Sequence, residues 1–392
     1  MEAQFSALYS RYIIDGVAQD NTPGGILQEC MKGMTAKAQP GPGAYSAIAD
    51  ETVDLPPESL SSDSDSAEAY LSRIRETSGP DTSVSRYYPM TSTRLSIAEA
   101  IIETLWKDGS FRLGDLAVKA SWKWDPGQIG NMAAFFYSAT AAGEYLYDLG
   151  VGLEDFSFEE HPGKCEVELS VECARDSGQC TPHNATDETM DDPLFCGSPF
   201  GSRNPHMTGG MKCSGTMVQD KGSWLIYIPF DTCPFKLGGS FLSKAMGKEG
   251  GAPAEIQDPD YFIDCYEVVR ELTEDGIIMS GITSGRGGLM YAADRFCTGA
   301  GMSMDISGIC MAYHENDPIR VLFGEVPGAI IQIRDNDYDY FDSQMLLQDV
   351  AYYPLGHPVP SGHGIELRKD TRPGISGILE SLINIQASEG ED

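Results

Sequence analysis

Long apolar runs are missing from this sequence. Nowhere do 18 consecutive apolar residues occur, so no membrane-spanning helix is expected. The opening residues Met1-Glu2-Ala3-Gln4-Phe5 lack the basic start and apolar core of a secretory signal, and none is expected. Positive charge is scarce: 27 Lys and Arg stand against 59 Asp and Glu, for a net charge of -32. That balance speaks against direct binding to nucleic acid or to anionic membranes, and for solubility or a basic protein partner. No C-x-x-C pair occurs among the ten cysteines. Five of them fall between Cys165 and Cys213, near His161, His183 and His206. Without a ligand knuckle, a zinc site there is the lesser reading, and free thiols in a reducing compartment the better one. The Asn184-Ala185-Thr186 sequon reads as a chance match.

What is present suits a folded chain. Hydrophobic content is 41% and aromatic content 9%, and 392 residues are enough for two cores. The organising stretch is Gly281-Ile282-Thr283-Ser284-Gly285-Arg286-Gly287-Gly288-Leu289, entered from the apolar run Gly276 to Ser280 and followed by a periodic segment to Cys297. This reads as strand, glycine turn and helix. Glycine at a helix entrance lets backbone approach a ligand, and a helix N-terminus favours anions.

Further elements follow in order. A short strand at Tyr12 to Asp15 gives way to a loop through Gly25, and Tyr45 to Asp50 is a second strand candidate. Leu55 to Ser85, rich in Ser, Asp, Glu and Pro, reads as a mobile surface insertion. Thr93 to Trp106 is a helix with Leu95, Ala98, Ile102 and Leu105 on one face. Glu99 and Glu103, four apart, share another face, where a solvated surface is the plainer reading and a paired metal site the rarer one. Asp115 to Trp124 and Glu166 to Cys173 alternate as strands, and Gln128 to Leu149 is a helix. Asp176 to Gly210, with Cys180 and Cys196, is a loop or insertion. After Gly222 the pattern restarts with strand Trp224 to Ile228. Leu237-Gly238-Gly239-Ser240 then opens a helix, and helix Tyr261 to Glu274 and strand Gly328 to Ile333 follow. An amphipathic segment, Ile375 to Ile385, precedes a frayed acidic tail. The expected boundary lies near residue 220, giving domains 1–220 and 221–392.

Several blocks together resemble one family, the formylglycinamidine ribonucleotide synthases, whose ATP-binding halves are aminoimidazole ribonucleotide synthetase-like. They are Gly16-Val17-Ala18-Gln19, Ala49-Asp50-Glu51-Thr52-Val53, Arg94-Leu95-Ser96-Ile97-Ala98-Glu99-Ala100 and Lys119-Ala120-Ser121-Trp122-Lys123-Trp124. Leu237-Gly238-Gly239-Ser240, the Gly-Gly-Leu turn and Leu322-Phe323-Gly324-Glu325-Val326-Pro327-Gly328-Ala329 complete the set, in family order. The resemblance spans roughly residues 8 to 385 and matches the second of the family's two ATP-binding halves. It implies an α+β fold of two domains, each a sheet carrying helices on one face.

In the family this half holds a nucleotide through magnesium, gripped by carboxylates and an amide, since hard cations want several oxygen ligands. The resemblance places those ligands at Asp50 and Glu99, with Glu103 where the amide stands and Arg286 where an aspartate stands. Ile282-Thr283 replaces a His-Asp pair. Leu153-Glu154-Asp155-Phe156 aligns with a Gly-Lys-Asp-Ser stretch, putting an acid at the phosphate-binding lysine. Three acids without a metal would repel one another, and an arginine fork could take the cation's place. The expectation is therefore a vestigial metal site of Asp50, Glu99 and Glu103 paired with Arg286, locking the two domains. Backbone phosphate contacts at Gly238, Gly239, Gly287 and Gly288 could survive, because they need no side chain.

The implied function is a non-catalytic structural or binding protein with no required cofactor, as in the degraded tegument relatives of a herpesvirus group. The alternative is a subunit of a split synthase that keeps ADP or ATP with magnesium. In the family the first domain's sheet pairs with its twin half. A lone half would leave a costly sheet face, so a homodimer or a protein supplying the missing half is expected. Location is expected to be cytoplasmic, or the viral tegument or nucleus by analogy.

Overall fold

The computed structural model describes residues 7–33, 52, 58–61, 66–77, 79, 82–173, 213–298, 300–359 and 364–367. Asp50 and the strand candidate before it, the loop 176–210, the segment 375–385 and the tail lie outside the described residues. The chain begins with a hairpin of β1 (Ile13–Ile14) and β2 (Val17–Ala18), with Ile14 opposite Val17. Asp15 and Gly16 at its tip both take positive φ, 50° and 76°, as a two-residue turn matched to strand twist requires. Helix α1 (Pro23–Met31) then starts inside the stretch read as loop. The signal was Thr22-Pro23: the Thr22 side chain accepts from the Gly25 N–H, and Pro23 sits where no N–H is needed.

The Ser- and Asp-rich insertion also departs from expectation, because residues 67–76 are a packed helix. In α2 (Ala67–Glu76), Tyr70, Leu71 and Ile74 are buried although the rest of the helix is polar. The Tyr70 ring meets Phe323 edge-on at 6.0 Å, and Arg75 bonds both oxygens of Asp294, at 3.1 and 2.5 Å. Three apolar residues on one stripe outweigh a polar average, which a composition count hides.

Helix α3 (Pro89–Lys107) starts four residues ahead of its periodic signal, with Pro89 in its first turn. Its Leu95, Ala98, Ile102 and Leu105 are all buried. Next come β3 (Leu116–Trp124), α4 (Asn131–Asp148), β4 (Gly152–Glu160) and β5 (Cys165–Cys173). β3 lies centrally, parallel to β4 and antiparallel to β5. Leu153 to Phe156, aligned above with a phosphate-binding stretch, is ordinary strand beside a bulge in the β3 register. Trp122 and Trp124 fill the inner face, their ring N–H groups donating to Ser138 Oγ and the Asn131 carbonyl at 2.9 and 2.7 Å. The outer face is polar. Lys119 pairs with Glu172 at 2.7 Å, Lys123 with Glu168 at 2.5 Å, and Ser121 bonds Ser157 at 3.0 Å. Alternation, broken once by the bulge, puts most apolar side chains inward and leaves this face polar, while β4 and β5 remain the edges of the described sheet.

The second part holds β6 (Ser223–Pro229), α5 (Phe241–Ala245), α6 (Pro259–Glu274), β7 (Ile278–Ser284) and α7 (Gly288–Phe296). β8 (Gly301–Met304), α8 (Ser307–Ala312), α9 (Pro318–Phe323), β9 (Gly328–Arg334) and α10 (Tyr338–Leu347) follow. β10 (Tyr353–Gly356), β11 (Pro358–Val359) and β12 (Gly364–Leu367) end the described chain. The main sheet runs β10-β6-β9-β7, all antiparallel, and a small sheet runs β11-β8-β12. β7 extends further than read: Gly281 to Ser284 pair with β9, so the glycine turn shrinks to Gly285–Gly287. Ladder hydrogen bonds claim those residues as soon as β9 lies beside them.

The architecture is α+β. Contacts between its two parts run through α2, α3 and α6. Gly281 lets the Trp106 ring sit flat on β7, where an added Cβ would stand 2.5 Å from the ring. Tyr266 donates to the Phe111 carbonyl at 3.0 Å, and Glu267 accepts from the Leu113 N–H at 3.3 Å. Among the described residues no helix is long and apolar enough to cross a membrane, and the eight described cysteines are free thiols.

Candidate functional site

Two glycine turns face the flank of α3. One precedes α5 and carries Gly238-Gly239-Ser240; the other joins β7 to α7. Glu99 points from α3 into the second turn. Its Oε1 accepts the Arg286 N–H at 2.6 Å, and its Oε2 lies 3.6 Å from Arg286 Nε. Arg286 Nη2 also donates to Ser96 Oγ, one turn earlier on α3. The Arg286 side chain is 10% exposed and that of Glu99 25%. Burial pushes the Glu99 carboxyl above its usual range. The Arg286 charge and N–H pull it back, and the Glu103 charge adds to the rise. Gly285 is required here, because a Cβ would stand 2.6 Å from Glu99 Cγ.

Glu103 turns elsewhere. Its Oε2 accepts from Thr283 Oγ1 at 2.7 Å, its Oε1 pairs with Lys107 at 3.2 Å, and Thr283 in turn accepts from the Trp106 ring N–H at 3.1 Å. Among the described residues, Arg286 is thus brought to Glu99 and Ser96, while Glu103 joins a neighbouring chain of bonds. No group of three or more His, Cys, Asp or Glu placed to hold a metal ion occurs among the described residues.

The backbone N–H groups of both turns already have acceptors within the chain. Gly238 N donates to the Ala252 carbonyl at 3.0 Å and Gly239 N to the Glu249 carbonyl at 2.8 Å. Ser240 N donates to the Leu237 carbonyl at 3.1 Å, and Gly288 N to the Gly285 carbonyl at 2.8 Å. Glu325 serves both turns, its Oε1 accepting from Phe241 N at 2.7 Å and Gly287 N at 2.8 Å. Burial raises its carboxyl to about 7, against the pull of these two N–H groups and of Arg286.

Residues 249–252 lie over the first turn and are held from two sides. Tyr88 Oη donates to the Gly251 carbonyl at 2.5 Å, and Gly250 N donates to the Glu58 carbonyl at 3.2 Å. The Tyr88 ring covers Gly239, where a Cβ would lie 3.2 Å from its Cε2. The cavity left between α3 and this turn measures about 20 Å³ and is lined by Tyr88, Ser92, Lys236, Gly239 and Glu325 among others. That admits about one water, where small-molecule sites need about 300 Å³ or more.

Sequence reasoning took Ser96, Thr283 and Glu325 as motif residues without the bonds they make, and missed Tyr88. Ser96 sits three residues before Glu99, so helical spacing could have placed it on the same face. Tyr88 and the residues 249–252 gave no local signal, because their meeting depends on tertiary packing.

No protein-family model matches the chain. It is 22% identical over 312 residues to the phosphoribosylformylglycinamidine synthase of Drosophila melanogaster, covering 76% of this chain and 21% of that protein. To the Homo sapiens enzyme of the same name it is 22% identical over 251 residues, covering 64% and 17%. The chain thus spans about a fifth of the length of these relatives. Among solved structures, Thermotoga maritima PurL complexed with FGAR aligns at TM-score 0.49 and 10% identity, over 72% of this chain and 41% of that one. E. coli HypE, a hydrogenase maturation protein, aligns at TM-score 0.43 and 12% identity, over 71% and 76%. Over part of their length, this chain is similar to the phosphoribosylformylglycinamidine synthases of both organisms.

Proposed function

We propose that the protein is a non-catalytic structural or binding relative of the synthase, in which the former nucleotide site has become an internal joint. One observation carries the reading: N–H groups of both glycine turns bond to the chain's own oxygens, and the cavity beside the first turn has room for about one water. A phosphate would have to displace those oxygens, and each bond lost inside the fold leaves an unmet donor or acceptor. Arg286 beside Glu99 supports the same reading, since a guanidinium at a carboxylate removes the charge a magnesium ion would have met. Asp50 and Glu103 complete the proposed vestigial set.

The second reading, a subunit of a split synthase with a structural nucleotide, draws on the carboxylates kept at Asp50, Glu99 and Glu325. The two separate on titration of the purified protein with ADP and magnesium in a calorimeter, with light scattering for the mass. The scaffold reading expects no heat of binding and a dimer, or a stable monomer that awaits another protein. Tight, magnesium-dependent binding would sink it and turn attention to the missing half of a synthase. The polar outer face of the β4-β3-β5 sheet, with Glu154, Asp155, Glu168 and Glu172 near two lysines, suits a basic partner surface better than a second copy of itself.

A further inference from the structure

Helix α10 carries apolar side chains on both of its faces. Phe341 and Met345, four apart, are buried against the fold. On the other side Leu346 and Leu347 are 78% and 76% exposed, the two most exposed large apolar side chains among the described residues. Tyr340, 46% exposed, stands seven residues before Leu347, about two turns away on the same stripe. A lone exposed leucine is ordinary, but an adjacent pair in line with an aromatic ring makes a patch. A surface helix gives its outer side to polar residues, and one that is apolar on both sides is built to be covered on both.

Charge decides what can cover it. Residues 335–349 include five aspartates, and no Lys, Arg or His occurs from 335 to 356. Asp339, Asp342 and Asp349 are exposed on the helix and just past its end. A second copy docked by the same face about a twofold axis would set these aspartates against their own equivalents. A basic segment would meet them with opposite charge while its apolar side chains cover the leucines.

We propose that the outer face of α10 docks an amphipathic helix of another protein, with apolar side chains along one side and Lys or Arg flanking them. None of these residues belongs to the glycine turns, so what binds here does not depend on whether those turns hold a nucleotide.

The test uses the full chain and a fluorescent synthetic helical peptide with leucine along one face and lysine along the other, read by anisotropy. The peptide should bind, and a peptide of the same composition in scrambled order should bind about tenfold more weakly or worse. Leu346→Ser with Leu347→Ser should weaken binding by about tenfold or more. Asp339→Asn with Asp349→Asn should weaken it and flatten its salt dependence, asparagine being tolerated at the positive φ of residue 349. Amide exchange on the unmodified protein, which needs no variant to fold, should show the peptide protecting 340–347. Equal binding by the leucine variant or by the scrambled peptide would overturn the proposal, as would protection confined to the acidic face of the β4-β3-β5 sheet. A dimer that the leucine variant dissolves would give the face to a second copy. Protection of 340–347 at every protein concentration without peptide would give it to residues 368–392 of the chain itself. Either result overturns docking of a basic partner.

Discussion

Glu99 holds Arg286 by two handles, accepting its backbone N–H at 2.6 Å on one oxygen and facing its guanidinium at 3.6 Å with the other. The carboxylate therefore fixes both the position of the glycine turn and the direction of the side chain leaving it. The N–H bond survives any change at residue 286 except proline. The charge pair does not.

Arg286→Ala should destabilise the protein by about 2 kcal/mol, below the loss seen for a fully buried pair because Glu99 keeps some contact with solvent. Arg286→Lys should recover only part, since an ammonium cannot meet Glu99 and Ser96 with one planar fork. Urea midpoints at fixed pH measure both. Equal stability of all three proteins would show that the arginine is an idle surface residue.

Gly285→Ala should cost about 1–3 kcal/mol through overpacking, because the new methyl group would press on Glu99. In an Glu99→Ala background the same change should cost much less. A double-mutant cycle reads the coupling directly. Additive effects would mean that something other than the Glu99 approach demands glycine.

Tyr70→Ala should cost about 3 kcal/mol, as expected for a fully buried aromatic, and should free α2 from α9 before the rest of the fold opens. Limited proteolysis should then cut within 58–77 ahead of any other site. Unchanged cleavage there would restore the view of this stretch as a loose insertion.

Glu325→Ala should be worse than Glu325→Gln by about 2–4 kcal/mol, because alanine leaves two N–H groups without an acceptor. Thermal unfolding of both variants at pH 6 is the check, where the native carboxyl is largely protonated and glutamine is its closest neutral match. Similar melting of the two variants would mean that water replaces the carboxyl at no cost.

Much of this molecule was settled by sequence alone. Period-2 runs at Leu116–Trp124 and Cys165–Cys173 and the apolar face of α3 made strands and a helix wherever they were read, because local hydrophobic spacing decides which face is buried. The resemblance grouped Asp50, Glu99 and Glu103 with Arg286; of these, Glu99 meets Arg286, Glu103 bonds Thr283, and Asp50 lies outside the described residues. What sequence could not decide was which oxygen meets which hydrogen. The N–H groups of Gly238 and Gly239 are taken by carbonyls ten or more residues away, and Glu103 leaves Arg286 for Thr283, 180 positions along the chain. A glycine turn open to a phosphate and one closed by its own chain read alike in sequence. The difference lies in long-range packing of Tyr88 and residues 249–252, whose contacts form only when α3 and the second sheet come together.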